Sequence, residues 1–229
     1  MKLVLKQMKI LTRVLTGSRL HNLNNDKSDY DWRGVHLNDL KEVLSPFKTV
    51  RNTSWIEGDE DNTSYELADF CKMAVKGNAT ILEVFFSNRI EEDSDVARKM
   101  RLNWRKFMDT DQFVMASRGY TANQYNKMQL FEPDKRTPKF AVAYCRVLWQ
   151  CAEFLKTGEF KCQVEGPARS FLLEVKYEPF NDKMVAELTE MFMRLQHDIT
   201  NAYKNTKYLI KPDISWIEEF IYDAYISNN

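Results

Sequence analysis

The stretch "TGSRLHNLNNDKSDYDWRGVHL", residues 16–37, limits what this chain can fold into more than any other part of it. A run of β-branched and aliphatic residues, "KILTRVLTG", stops at Gly17 and reads as a strand. "SDYDWRGVHL" alternates its side-chain character, stops near Asn38, and reads as the next strand. Side chains at i and i+2 of a strand point to one face, so Asp29 and Asp31 stand side by side, within reach of a bridging cation. Two carboxylates that close repel unless a cation or a proton lies between them. Gly17 lets the backbone come close to a phosphate and Ser18 adds a hydroxyl, so the turn before the acidic strand suits a triphosphate held through main-chain N–H groups. An acidic, solvated turn is the other reading of the same residues. A calcium loop is excluded, because Arg33 and Leu40 fall where an EF-hand with Asp29, Asp31 and Gly34 in register needs its remaining ligands.

The rest of the chain narrows the chemistry by what it omits. Lys plus Arg and Asp plus Glu each number 33, so any contact with nucleic acid comes from a local patch and not from overall charge. No run of about 18 apolar residues spans a bilayer. The N-terminal "MKLVLKQMKILTRVL" carries a base every few residues and lacks a small-residue cleavage site, so a cytoplasmic protein is expected. Cys71, Cys145, Cys151 and Cys162 form no C-x-x-C pair, and His21, His36 and His197 are scattered, which argues for buried reduced thiols and against zinc or disulfides. Walker-type, dinucleotide-binding and nucleophile-elbow motifs are absent.

Along the chain the first third reads as mixed α/β, up to "ATILEVFFS", with "TSYELADF" leading into a helix that Gly77 and Asn78 close. Helical periodicity follows, with one possible strand pair at "FKCQV" and "SFLLEVKY". The expected class is α/β (α+β): a small sheet with flanking helices over residues 1–95, then a mainly helical region, 96–229, that completes the cleft. Asn181 caps a helix with Met184, Leu188, Phe192, Leu195 and Ile199 inward; Asp213 caps another with Trp216, Ile217, Phe220 and Ile221 inward. Both are scaffold.

"GSR…SDYDWRGV" resembles the signature of the nucleotidyltransferase superfamily that includes DNA polymerase β, in its branch of predicted nucleotidyltransferases with a GSR-x-x-x-x-SDYD-x-RGV pattern. Four further stretches are similar to that branch in order: "YELADFCKMAVKGNATILEVFFS", "SRGYTANQYNKM", "KFAVAYCRVLWQCAEFLKTGEF" and "IKPDISWIEEFI". Leu20-His21-Asn22 replaces the usual loop glycine, Ala68 a basic residue and Ala79 a proline. The resemblance implies a polymerase β-like sheet and transfer of a nucleoside monophosphate from an NTP, ATP first, to an acceptor hydroxyl. It implies two Mg²⁺ ions, with Mn²⁺ as a substitute, held by Asp29 and Asp31, while Gly17, Ser18 and Arg19 cradle the β- and γ-phosphates. It also implies a third carboxylate on a neighbouring strand. Glu66 and Glu83 are the candidates, and Glu66 is expected to hold the catalytic metal or accept the attacking hydroxyl's proton.

Several bases carry two readings each. Arg33 reaches the triphosphate or pairs with one of the aspartates. Lys139 and Arg146, two helical turns apart, lean over the nucleotide or face solvent. Arg98, Arg101 and Arg105 share a helix face that grips RNA or is plain surface, with Trp104 beside it as a stacking platform or core. The favoured acceptor is an RNA 3′ end. The alternatives are nucleotidylation of a protein or small molecule, and a non-enzymatic nucleotide-binding module.

Overall fold

β1 (Lys9–Thr16) and β2 (Tyr30–Leu37) pair antiparallel, Lys9 opposite Leu37 and Thr16 opposite Asp31. One helical turn, α1 (Gly17–Leu20), opens the connection between them. The computed structural model describes residues 8–47, 52–130, 137–179 and 181–227; residues 1–7, which begin the stretch weighed above against a targeting segment, lie outside it. After α2 (Leu40–Val43) come β3 (Thr53–Glu57) and β4 (Glu60–Glu66), then α3 (Leu67–Val75), α4 (Ala79–Phe86) and β5 (Ile90–Asp93). The strand order is β3-β4-β2-β1-β5, with β2 and β4 parallel and the other neighbours antiparallel. The helical part comprises α5 (Asp95–Leu102), a 3₁₀ turn (Trp104–Phe107), α6 (Thr110–Leu130), α7 (Thr137–Thr157), α8 (Gly166–Tyr177), α9 (Asp182–Asn205) and α10 (Ile214–Ile226). The mixed α/β class with a helical C-terminal region is therefore what forms.

Local chemistry explains the boundaries. Asn181 accepts from Met184 N at 3.0 Å and Asp213 from Trp216 N at 3.2 Å, so both expected caps hold their helices. Met184, Leu188, Leu195, Ile199, Ile217 and Phe220 are buried, and Phe192, Trp216 and Ile221 pack at the core's margin. Gly77 takes φ +70°, and a Cβ there would stand 2.4 Å from the Phe113 backbone, so this glycine both ends α3 and admits α6. One buried cluster runs from Val14 and Val35 in the sheet through Phe70 and Leu82 to Leu148, Phe154 and Leu188 in the helices. The core therefore continues past residue 95, where the sheet has just ended. All four cysteines are buried and unpaired, and burial pushes the Cys145 and Cys151 thiols up to about 12.

The expected strand pair is corrected: "SFLLEVKY" lies in α8, and "FKCQV" is irregular. Leu172 and Val175 are the buried residues of that segment, three apart, which is helical spacing; a short apolar run does not reveal its period. β3 and β5 were not anticipated.

A candidate active site at the Gly17 turn

Gly17 sits at the end of β1 with φ +65°, and a Cβ on it would stand 1.9 Å from Asp31 Oδ2. The Asp31 carboxylate is thus packed directly against the first residue of α1. Thr16 fixes that register by donating its hydroxyl to the Asp31 carbonyl at 3.1 Å. Arg19 does not reach outward. It donates to the Ser28 and Asp29 carbonyls at 2.6 and 3.2 Å and lies 3.9 Å over the Tyr30 ring, so it shapes the approach to the acidic strand. The loop between α1 and β2 is also gripped from α8: Arg169 donates to the Asn22 carbonyl at 2.8 Å, and Lys176 and Tyr177 to the Leu23 carbonyl at 2.8 and 3.1 Å.

Burial raises the Asp31 carboxyl above its ordinary range, and the Asp29 charge adds to this; Arg33 and His21 oppose it, and Asp61 reinforces it. Asp61 has no counterpart among the sequence-derived candidates. The parallel register of β2 and β4 places it opposite Asp31, and the pleat puts both side chains on one face, with Arg33 and Thr63 next along. Asp29 lies just before β2, which starts at Tyr30, and not on the strand as expected; its charge still acts on Asp31, so Asp31 and Asp61 at the start of two adjacent strands and Asp29 beside them form an acidic group.

Glu66 does not join that group. It is aligned with His36, five positions along β2 from Asp31, about 16 Å at the usual strand rise, and it falls on the opposite face. Its carboxylate is spent as the N-cap of α3, accepting from Ala68 N at 2.9 Å and Asp69 N at 3.1 Å, and it also accepts from the Tyr225 hydroxyl of α10. Glu83 is equally committed. It is buried on α4, bonded by Arg146 and 3.5 Å from His21 Nε2, while His21 Nδ1 lies 3.1 Å from the Cys162 carbonyl. Burial alone would raise the Glu83 carboxyl, but the Arg146 and His21 charges outweigh it and hold it down at about 2.

The bases expected over a nucleotide are placed as follows. Arg146 is buried, bound to Glu83 and at 2.9 Å to Gln150 Oε1, so it does not lean over the site. Lys139 is exposed in the first turn of α7, with no ion pair to a carboxylate among the described residues. Arg33 pairs with neither aspartate and donates to the Tyr65 hydroxyl at 2.7 Å; its Nε is buried without a partner among the described residues. Arg98 and Arg101 are neutralised by Asp93 and Asp95, and Arg105 lies 4.4 Å over Trp104. Trp104 packs on Phe86 at 5.0 Å and Phe154 at 6.5 Å, at the core's margin. The sequence missed Asp61, His21 and the α8 donors; only the pairing of distant segments shows them.

Among the described residues no helix is long and apolar enough to cross a membrane. A model of the family described as "RNA repair pathway DNA polymerase beta family" matches residues 4–220. A protein of Methanocaldococcus jannaschii named as uncharacterized protein MJ0002 is 25% identical over 227 residues, covering 87% of this chain and 86% of that protein.

Proposed function

The chain belongs to the RNA repair pathway DNA polymerase beta family, a nucleotidyltransferase-type family, and we propose that it transfers a nucleoside monophosphate from an NTP, ATP first, to the 3′ hydroxyl of an RNA. The observation that carries this reading is the contact between Gly17 and the Asp31 carboxylate, which joins a phosphate-suited turn to a metal-suited acid in one place. Asp29 and Asp31 hold the metal ions, and Asp61, in place of Glu66, is the third carboxylate.

The residues fit Mg²⁺, with Mn²⁺ as its substitute. Burial and Asp29 already make the Asp31 charge unfavourable, and a cation relieves that. Among the described residues no three acids, cysteines or histidines close a metal cage unaided, and Mg²⁺ is ordinarily held by one or two carboxylates with substrate phosphates and water completing its shell. When bound, the ions neutralise the triphosphate and lower the pKa of the attacking hydroxyl. The protein does the rest by position. Backbone N–H groups at Gly17 and Ser18, in the turn beside Asp31, would meet the phosphates, the Arg19 hydrogen bonds fix the segment carrying Asp29, and Asp61 stands beside Asp31 to take the acceptor's proton or hold its metal.

Incubation with each α-labelled NTP, Mg²⁺ and either total RNA or total protein tests the reading. Label entering RNA, abolished by excess chelator, is expected. Label entering protein alone would move the acceptor to protein, and activity that survives chelation would remove the metal role.

A further inference from the structure

A cavity of about 250 Å³ lies between the end of α3, the start of α4 and the inner faces of α6 and α7. Its walls are apolar, from Met73, Ala116 and Val147, while Asn78, Ser117 and Tyr120 bring polar groups to it and Lys76 stands at its rim. Ser117 is 1% exposed, and its hydroxyl sits against the Cys151 thiol with no oxygen or nitrogen partner among the described residues. The Asn78 side-chain oxygen accepts from Thr80 N and Ile81 N, which leaves its amide N–H groups as the side chain's donors at the exposed edge of the cavity. Tyr120 is 39% exposed, with its ring edging the opening.

The cavity reaches the candidate active site through one chain of contacts: Val147 in its wall follows Arg146 on α7, and Arg146 is bonded to Glu83 on α4. Arg33 is two residues from Asp31 on the same face of β2, and Glu83 contacts His21, the residue that follows the "GSRL" turn. The space is smaller than the roughly 300–1,000 Å³ of sites that enclose a whole drug-sized ligand, so it takes part of a nucleotide. A phosphate is the wrong part: three apolar walls and one rim lysine do not replace its hydration. A flat, partly apolar ring with acceptor atoms on its edge matches the walls, the Tyr120 ring and the unspent donors.

We propose that this cavity is a nucleobase pocket, formed by Ser117, Tyr120, Asn78 and Val147, that selects the base of one of the two substrates. It rests on the nucleotidyl-transfer reading, and its source is the NTP or the last base of the acceptor. The test is equilibrium binding, with Mg²⁺ present, of each NTP, of ribose 5-triphosphate, and of RNA oligonucleotides differing in their 3′ base. These are measured on the wild type, on Ala116→Phe, which fills the space, and on Tyr120→Ala at the open edge, with melting curves confirming that each variant folds.

For an NTP base, the wild type binds one NTP about tenfold more tightly than ribose triphosphate, and both variants erase the difference without weakening ribose triphosphate. For an acceptor base, the variants instead erase discrimination among the RNA 3′ ends. Base discrimination that persists in both variants, or a wild type that never discriminates, overturns the pocket while leaving nucleotidyl transfer standing. A wild type that binds neither nucleotide nor RNA overturns the functional reading and the pocket with it.

Discussion

A methyl group at position 17 has nowhere to go. In Gly17→Ala the new Cβ meets Asp31 Oδ2 in a backbone conformation that L side chains avoid, at a cost of about 1–2 kcal/mol before the clash is counted. The carboxylate must move, and a misplacement of about 1 Å costs on the order of a hundredfold in rate. Labelled-NTP transfer and thermal melting should both register the loss. The acids separate differently: Asp31→Asn and Asp61→Asn should each lower transfer on the order of a thousandfold with no loss of melting temperature, since removing a crowded charge relieves repulsion. Glu66→Gln should transfer normally. If Glu66→Gln is inactive and Asp61→Asn active, the third carboxylate has been misassigned. Period two pairs Asp29 with Asp31 from neighbours in sequence alone, although β2 starts only at Tyr30, whereas Asp61 becomes visible only through a parallel pairing with residues about thirty positions away.

At the scale of elements, the junction of β4 and α3 shows how one carboxylate serves two purposes. Glu66 caps α3 and accepts from Tyr225 of α10, tying the sheet to the last helix of the described chain. A hydrogen bond to a charged group contributes about 1.5–3 kcal/mol, so Tyr225→Phe should lower stability in denaturant titration by that order and leave the rate constant of transfer alone. A fall in rate at unchanged stability would put Glu66 back in the chemistry. Elements rich in apolar periodicity were readable, α9 and α10 down to their caps. β5 was not, because Ile90–Asp93 is exposed throughout and owes its place to pairing with β1 and to the Arg98 and Arg101 contacts with Asp93. β3 is likewise a largely exposed edge, with Trp55 half-buried and Ile56 exposed, whose order comes from β4. α8 was misread as a strand, yet it supplies the donors that hold the loop before Asp29.

Across the whole molecule, the buried cluster of His21, Glu83, Arg146 and Gln150 joins the phosphate-suited turn to the middle of α7. Such a cluster contributes little net stability when intact but is costly to break, because the partner left behind is a buried charge without compensation. Glu83→Gln leaves Arg146 in that position, and the loss at neutral pH should be about 3–5 kcal/mol. The direction with pH follows from the depressed Glu83 carboxyl, which is held at about 2 against an ordinary value of 4.5. Its contribution is complete above 4.5 and is lost as pH falls through 2, since the unfolded chain takes up the proton first. Melting curves of wild type and Glu83→Gln should therefore run a constant distance apart from neutral pH down to 4.5 and converge between 4.5 and 2. A gap that stays constant across that window would mean that shape, and not charge, is what Glu83 supplies. Below the variant's melting temperature, its affinity for NTP should also weaken, because the residue following the "GSRL" turn has lost the carboxylate it rests against.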